Sequence, residues 1–138
     1  MPDTRLAVRR PRDVVAVMGP EARTYLQGQL SQDVEALEVG GSAETFLLQP
    51  AGKVDAWMRV SRLADDHFLL DVEEGFGPQV VARLTRFLLR TDCTVQEVQW
   101  DLLTVIDAEA SAFSTPVGGL ALAVEWPGLV AVDLLGPS

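Results

Sequence analysis

The sequence predicts an α+β domain, an antiparallel sheet with two helices packed on it, and three observations point there. Between Glu44 and Val72, short apolar and β-branched runs are separated by turn signals, the pattern of an antiparallel meander. From Glu74 to Arg90, apolar residues recur at helical spacing, the second such stretch after Glu21 to Leu30. A strand–turn–helix unit at Val15 to Tyr25 can also be laid on Leu103 to Phe113, with Val, Glu and Ala recurring and Met/Ile and Tyr/Phe like for like.

The elements follow in order. Residues 1–12 are polar and bounded by proline, which predicts a flexible arm. Val14 to Met18 is a buried strand. Gly19-Pro20-Glu21 reads as a helix start: a permissive cap, proline in the first turn, and an acid near the positive end of the dipole. The helix runs to about Leu30, and Gly40-Gly41 breaks the chain. Glu44 to Gln49, Val54 to Leu63 and His67 to Val72 are strands, joined at Pro50-Ala-Gly-Lys53 and Asp65-Asp66. In the helix of Glu74 to Arg90, Val80, Val81, Leu84, Phe87 and Leu88 form one stripe. Thr94 to Trp100 and Leu102 to Ile106 are two strands or one bent one. Leu120 to Glu125 and Leu129 to Leu134 pair across Trp126-Pro-Gly128. The echo makes residues 13–101 a first half and 102–138 the start of a related second half that ends early, its helix stopped at Ser114-Thr-Pro116.

Composition excludes several classes. The chain has 138 residues, enough for one domain with a core, and a net charge of −9, which argues against direct nucleic-acid binding. Ten arginines and one lysine include local groups at Arg9-Arg10-Arg12 and at Arg83, Arg86 and Arg90, either solvated faces or a place for an anion. No apolar run suits a membrane span or signal peptide, and one cysteine permits no internal disulfide, so the expected location is cytoplasmic. One histidine and one cysteine, His67 and Cys93, leave no metal-ligand cluster. His67 reads as a strand residue on the surface and Cys93 as semi-buried rather than nucleophilic. Gly75-Phe-Gly77 opens a helix but lacks the remaining residues of a phosphate loop.

Two segments exceed what packing requires. Gln27, Gly28, Gln29, Ser31, Gln32 and Asp33 crowd short polar groups around a glycine. Asp55 and Trp57 lie two apart in a strand and so on one face, where a carboxylate beside an indole suits a flat, nitrogen-rich ring. The alternative is an exposed acid beside a partly buried tryptophan.

These residues resemble the glycine-cleavage T-protein/YgfZ superfamily of folate-binding proteins. The likeness rests on Gly19 to Asp33 with its Leu-Gln-Gly-Gln, on Leu47 to Lys53, on Asp66 to Asp71, on Arg86 to Arg90, and on Asp133-Leu-Leu-Gly136. It covers nearly the whole chain and is closer to the YgfZ branch. The resemblance implies an α+β fold whose pseudo-twofold halves enclose a tetrahydrofolate cavity, with Gln27, Gln29, Gln32 and Asp33 lining or bracing it and Lys53, Asp55 and Trp57 beside it. It also implies a role in maintaining iron–sulfur enzymes and, through one of them, in tRNA modification. Two departures matter. The branch's Lys-Gly-Cys motif is not among these residues, and Ala56-Trp57 stands where the T-protein has an acid pair, with Asp55 one position early.

The expectation is therefore a non-enzymatic tetrahydrofolate-binding-like module of the YgfZ type, cytoplasmic, holding no metal itself. It is either a short form that dimerises to cover its open half or the first half of a longer chain. One rival is an aminomethyltransferase with Asp55 near the reacting nitrogen, the other a ligand-free structural or dimerisation module.

Overall fold

The computed structural model describes residues 7–31, 33–48, 54–86, 88, 90–106, 119–124 and 131–137, with side chains omitted at 47, 48 and 54–56. Two compact units divide it: Arg12–Val98, and the described residues of Met1–Pro11 with those of Gln99–Ser138.

The Arg12–Val98 unit is a five-stranded sheet with two helices. Its strands are β2 (Arg12–Met18), β3 (Ser42–Leu48), β4 (Val54–Ala64), β5 (His67–Glu73) and β6 (Thr94–Val98). They lie in the order β3-β4-β5-β2-β6, with every neighbouring pair antiparallel. The expected meander is β3-β4-β5, turning at Asp65-Asp66. β2 slots between β5 and β6, and its Val14-Val15-Ala16-Val17 run is apolar and buried at every position.

α1 (Ala22–Gln29) and α2 (Gly77–Arg86) cover one face. Ala22, Tyr25 and Leu26 sit at i, i+3 and i+4 on α1, and Val80 and Leu84 on α2. They pack with Val15, Val17, Met58, Val60, Phe68, Leu70 and Val72 in one core, with Val81 and Leu88 at its margin. Phe87 of the expected stripe lies outside the described residues. Tyr25 Oη donates to the Leu84 carbonyl at 2.5 Å and locks the helices together.

Both helices are shorter than the periodicity predicts. α1 begins at Ala22, with Glu21 rather than Gly19 as its N-cap. The φ of Gly19 is +135°, and a Cβ there would stand 2.6 Å from the Asp92 carbonyl oxygen and 2.7 Å from Cys93 Cα. Glu21 N–H donates to that same carbonyl and the Glu21 carboxylate accepts from Asp92 N–H, so the start of α1 is tied to the segment before β6. α2 begins at Gly77 rather than Glu74, since residues 74–76 form the turn out of β5.

The second unit holds a four-stranded antiparallel sheet in the order β1-β7-β9-β8: β1 (Ala7–Arg10), β7 (Trp100–Ile106), β8 (Leu120–Ala123) and β9 (Ala131–Pro137). Two expectations are corrected here. Residues 7–10 are not a loose arm but an edge strand on β7, because their backbone finds a ladder there. Nor are β6 and β7 one bent strand, since they pair into different sheets. The expected C-terminal pairing is present as β8 on β9, while its turn at Trp126 to Gly128, and the helix expected after Ile106, lie outside the described residues. Within this sheet Thr104 and Asp133 face each other across strands, and Thr104 Oγ1 donates to Asp133 Oδ1 at 2.6 Å.

Two glycines give opposite expectations. Gly19→Ala combines a strained φ with backbone overlap and should cost about 2–4 kcal/mol. Gly28 is helical, exposed, and has nothing within 4 Å of a built Cβ, so Gly28→Ala should stabilise by about 0.5–1 kcal/mol. Urea unfolding of both variants measures the contrast.

Candidate functional site

Strand register divides the residues singled out above between two sides of the five-stranded sheet. Met58 and Val60 point to the helices, and so does Thr45, Met58's cross-strand partner. Trp57 and Arg59 therefore point the other way, with their partners Phe46 and Glu44. Asp71 of β5, paired with Arg59 of β4 and with Val14 of β2, shares that face.

The polar segment at the end of α1 lies on the helix side and is bonded within the chain. Gln27 Oε1 accepts from Glu35 N–H at 3.0 Å, capping a 3₁₀ turn at Val34–Ala36. Gln29 Oε1 accepts from Arg83 Nη1 at 3.1 Å, bridging α1 to α2. Ser31 Oγ accepts from Phe46 N–H at 3.0 Å, and Ser31 N–H donates to the Phe46 carbonyl at 3.1 Å, which ties the chain after α1 to the edge of β3. Asp33 is exposed and makes no side-chain cap to the turn that follows it. Gln32 and Lys53 lie outside the described residues. Thus Gln27 and Gln29 are not on the face of Trp57, which lies on the opposite side of the sheet.

Asp55 lies in β4, but the register steps from Leu47↔Ala56 to Leu48↔Val54 and leaves it opposite no residue of β3. It is the extra residue of a bulge, and a bulge interrupts the strict alternation from which a shared face with Trp57 was expected.

The face opposite the helices carries the group with most chemical potential. Trp57 is 60% exposed, unusual for so large an apolar ring. Its indole meets the Phe46 ring edge to face, centroids 4.7 Å apart and planes at 73°. Indole Nε1–H donates to Glu44 Oε2 at 2.9 Å, setting a carboxylate at the rim of the ring. On the neighbouring strand of this face Asp71, 1% exposed, is held from two strands. Arg59 Nε and Nη2 grip it as a fork at 3.0 and 3.2 Å, while Arg12 Nε reaches Oδ2 at 3.1 Å and Nη2 the Asp71 carbonyl at 2.7 Å. The arrangement offers an aromatic platform, an exposed acceptor and a rigid cationic base. Sequence reasoning missed Glu44 and Arg59, and read Arg12 only as part of a basic group and Asp71 only as part of a motif; the available signal was Glu44-x-Phe46 facing Trp57-x-Arg59 across a two-strand ladder.

Three minor candidates resolve. The Gly75-Phe-Gly77 turn is not open to a phosphate, because Asp13 Oδ2 accepts from both Gly75 and Gly77 N–H at 2.9 Å and fills the α2 N-terminus with a carboxylate of the chain. Cys93 is half-buried; burial pushes its thiol up, and the Glu21 and Asp92 carboxylates add to this, the reverse of an activated nucleophile. His67 is half-buried at the start of β5, and that burial lowers its pKa. Among the described residues no group of three or more His, Cys, Asp or Glu could hold a metal ion, and no helix is long and apolar enough to cross a membrane.

No family model matches the sequence. An uncharacterized protein of Haemophilus influenzae is 29% identical over 93 residues, covering 67% of this chain and 33% of that protein. The crystal structure of glycine cleavage system aminomethyltransferase T from Bartonella henselae matches with a TM-score of 0.81 at 19% identity, over 96% of this chain and 42% of that one. The chain thus spans a third to two fifths of the length of these proteins. At this identity the structural likeness shows the fold, α+β and like that of the aminomethyltransferase.

Two measurements test the site's scaffold. Asp71→Ala leaves two partly buried guanidiniums facing each other and should lower stability by about 3–5 kcal/mol, read by urea unfolding. Cys93 and Tyr25 both have pKa values raised by burial. The unfolded chain therefore releases these protons first, and stability present below pH about 9 is lost as pH rises further. The unfolding midpoint should fall as pH rises from about 9 to about 11, and fall less steeply in Cys93→Ala.

Proposed function

We propose that this chain binds a reduced folate without catalysing its chemistry, as a module of the YgfZ type. The observation that carries the reading is the exposed indole of Trp57 with Glu44 at its rim, on one face of a sheet whose fold is like that of an aminomethyltransferase. A pterin ring stacks on an indole, and its N–H edge suits a carboxylate. The guanidiniums of Arg12 and Arg59, clamped on Asp71, tie β2, β4 and β5 together on the same face.

In this reading the module acts in the cytoplasm, serves iron–sulfur enzymes and through one of them tRNA modification, and works as a homodimer or with further residues of a longer chain. Transfer of an aminomethyl group has less support, because the T-protein's acid pair is replaced by Ala56-Trp57. One observation favours a ligand-free structural module instead: the oxygens of Gln27, Gln29 and Ser31 are bonded within the chain.

Isothermal titration with tetrahydrofolate separates these readings. Binding with Kd in the micromolar range, weakened at least about tenfold by Trp57→Ala, is expected, since base-type stacking on an aromatic is worth roughly 1–3 kcal/mol. Absence of heat up to about millimolar ligand, a bound-state threshold of about 4 kcal/mol, would leave the ligand-free module. Turnover in a glycine-cleavage assay that disappears in Asp55→Asn would establish the transferase.

A further inference from the structure

The Glu44 carboxylate is exposed and held at the indole rim by the 2.9 Å bond from Nε1–H. β3 and β4 fix this in the backbone: Glu44 stands directly across from Arg59 and Phe46 directly across from Trp57, so Glu44 and Trp57 are diagonal neighbours on one face. Two other described carboxylates share this face: Asp71, which is 1% exposed and gripped by two arginines and so presents nothing to a ligand, and Glu73, exposed at the end of β5 across from Arg12. Glu44 is the exposed carboxylate of this face that is bonded to the indole.

An ionised carboxylate accepts and never donates, and its two oxygens take about four hydrogen bonds, of which Trp57 supplies one. Adjacent parallel N–H groups can be accepted as a pair. A carbonyl in place of one of them sets lone pairs against lone pairs. Resting on the folate reading above, we infer that Glu44 determines specificity at this face. It selects planar rings whose edge carries two adjacent N–H donors, the amino-amide edge of a 2-amino-4-oxopteridine, over rings with a carbonyl at that edge. Trp57 supplies stacking to any flat ring, and Glu44 supplies the distinction between them.

Two small rings of nearly one shape isolate this role: pterin, with the amino group at position 2, and lumazine, with a carbonyl there. Calorimetric titration of each is carried out on the wild type, Glu44→Gln and Trp57→Ala, with urea midpoints confirming that the exposed substitutions leave the fold intact. The wild type should bind pterin about tenfold tighter than lumazine. Glu44→Gln replaces an acceptor by a donor and should bring the ratio to about one, weakening pterin and strengthening lumazine. Trp57→Ala should weaken both alike. Equal binding of both rings, untouched by Glu44→Gln but lost in Trp57→Ala, overturns the role of Glu44 and leaves the folate reading standing. No binding of either ring or of tetrahydrofolate overturns both.

Discussion

A single buried carboxylate, Asp71, holds three adjacent strands in register. It lies in β5, is forked by Arg59 from β4, and is reached by Arg12 from the start of β2. A charge this deep is tolerated only when both oxygens and the opposing cations find partners, so the geometry has little slack. A one-residue slip of β4 would carry Arg59 to the helix side and turn Trp57 into the core. The orientation of Trp57, and with it the candidate site, depends on that ion pair.

The two faces of the sheet do different work. On the helix side Val15, Val17, Leu26, Phe68, Leu70, Val80 and Leu84 are fully buried, and polar groups there serve as fasteners: Tyr25 to Leu84, Gln29 to Arg83, Ser31 to Phe46. Across the sheet the chain instead displays a large indole with a carboxylate at its rim. Hydrogen bonds at the helix side stabilise by satisfying groups that burial would otherwise strand. At the other face the exposed indole contributes less to folding than a buried ring would.

Much of the fold was legible because its signals are local. The apolar run of β2, the Asp65-Asp66 turn and the Val80/Leu84 stripe are read by period and turn chemistry. Helix limits were less so: Gly19-Pro20-Glu21 reads as a helix start, but Gly19 has a positive φ with Asp92 and Cys93 close against it, and α1 begins only at Ala22. The site was legible in part. Trp57 stood out by type, whereas Glu44 is an ordinary strand acid until register places it against the indole, and the unusual Gln27 and Gln29 make bonds that no local pattern announces.

By itself the sequence determined the alternation of strands and helices, the meander, and the presence of an aromatic–acidic strand, all set by short-range periodicity and turn residues. Only the tertiary structure decided which side of the sheet each polar residue serves. A bulge at Asp55, the insertion of β2 between β5 and β6, and the return of residues 7–10 onto β7 arise from pairings between distant segments. Such pairings depend on satisfying backbone and buried charge across the whole sheet, a condition that no window of neighbouring residues contains.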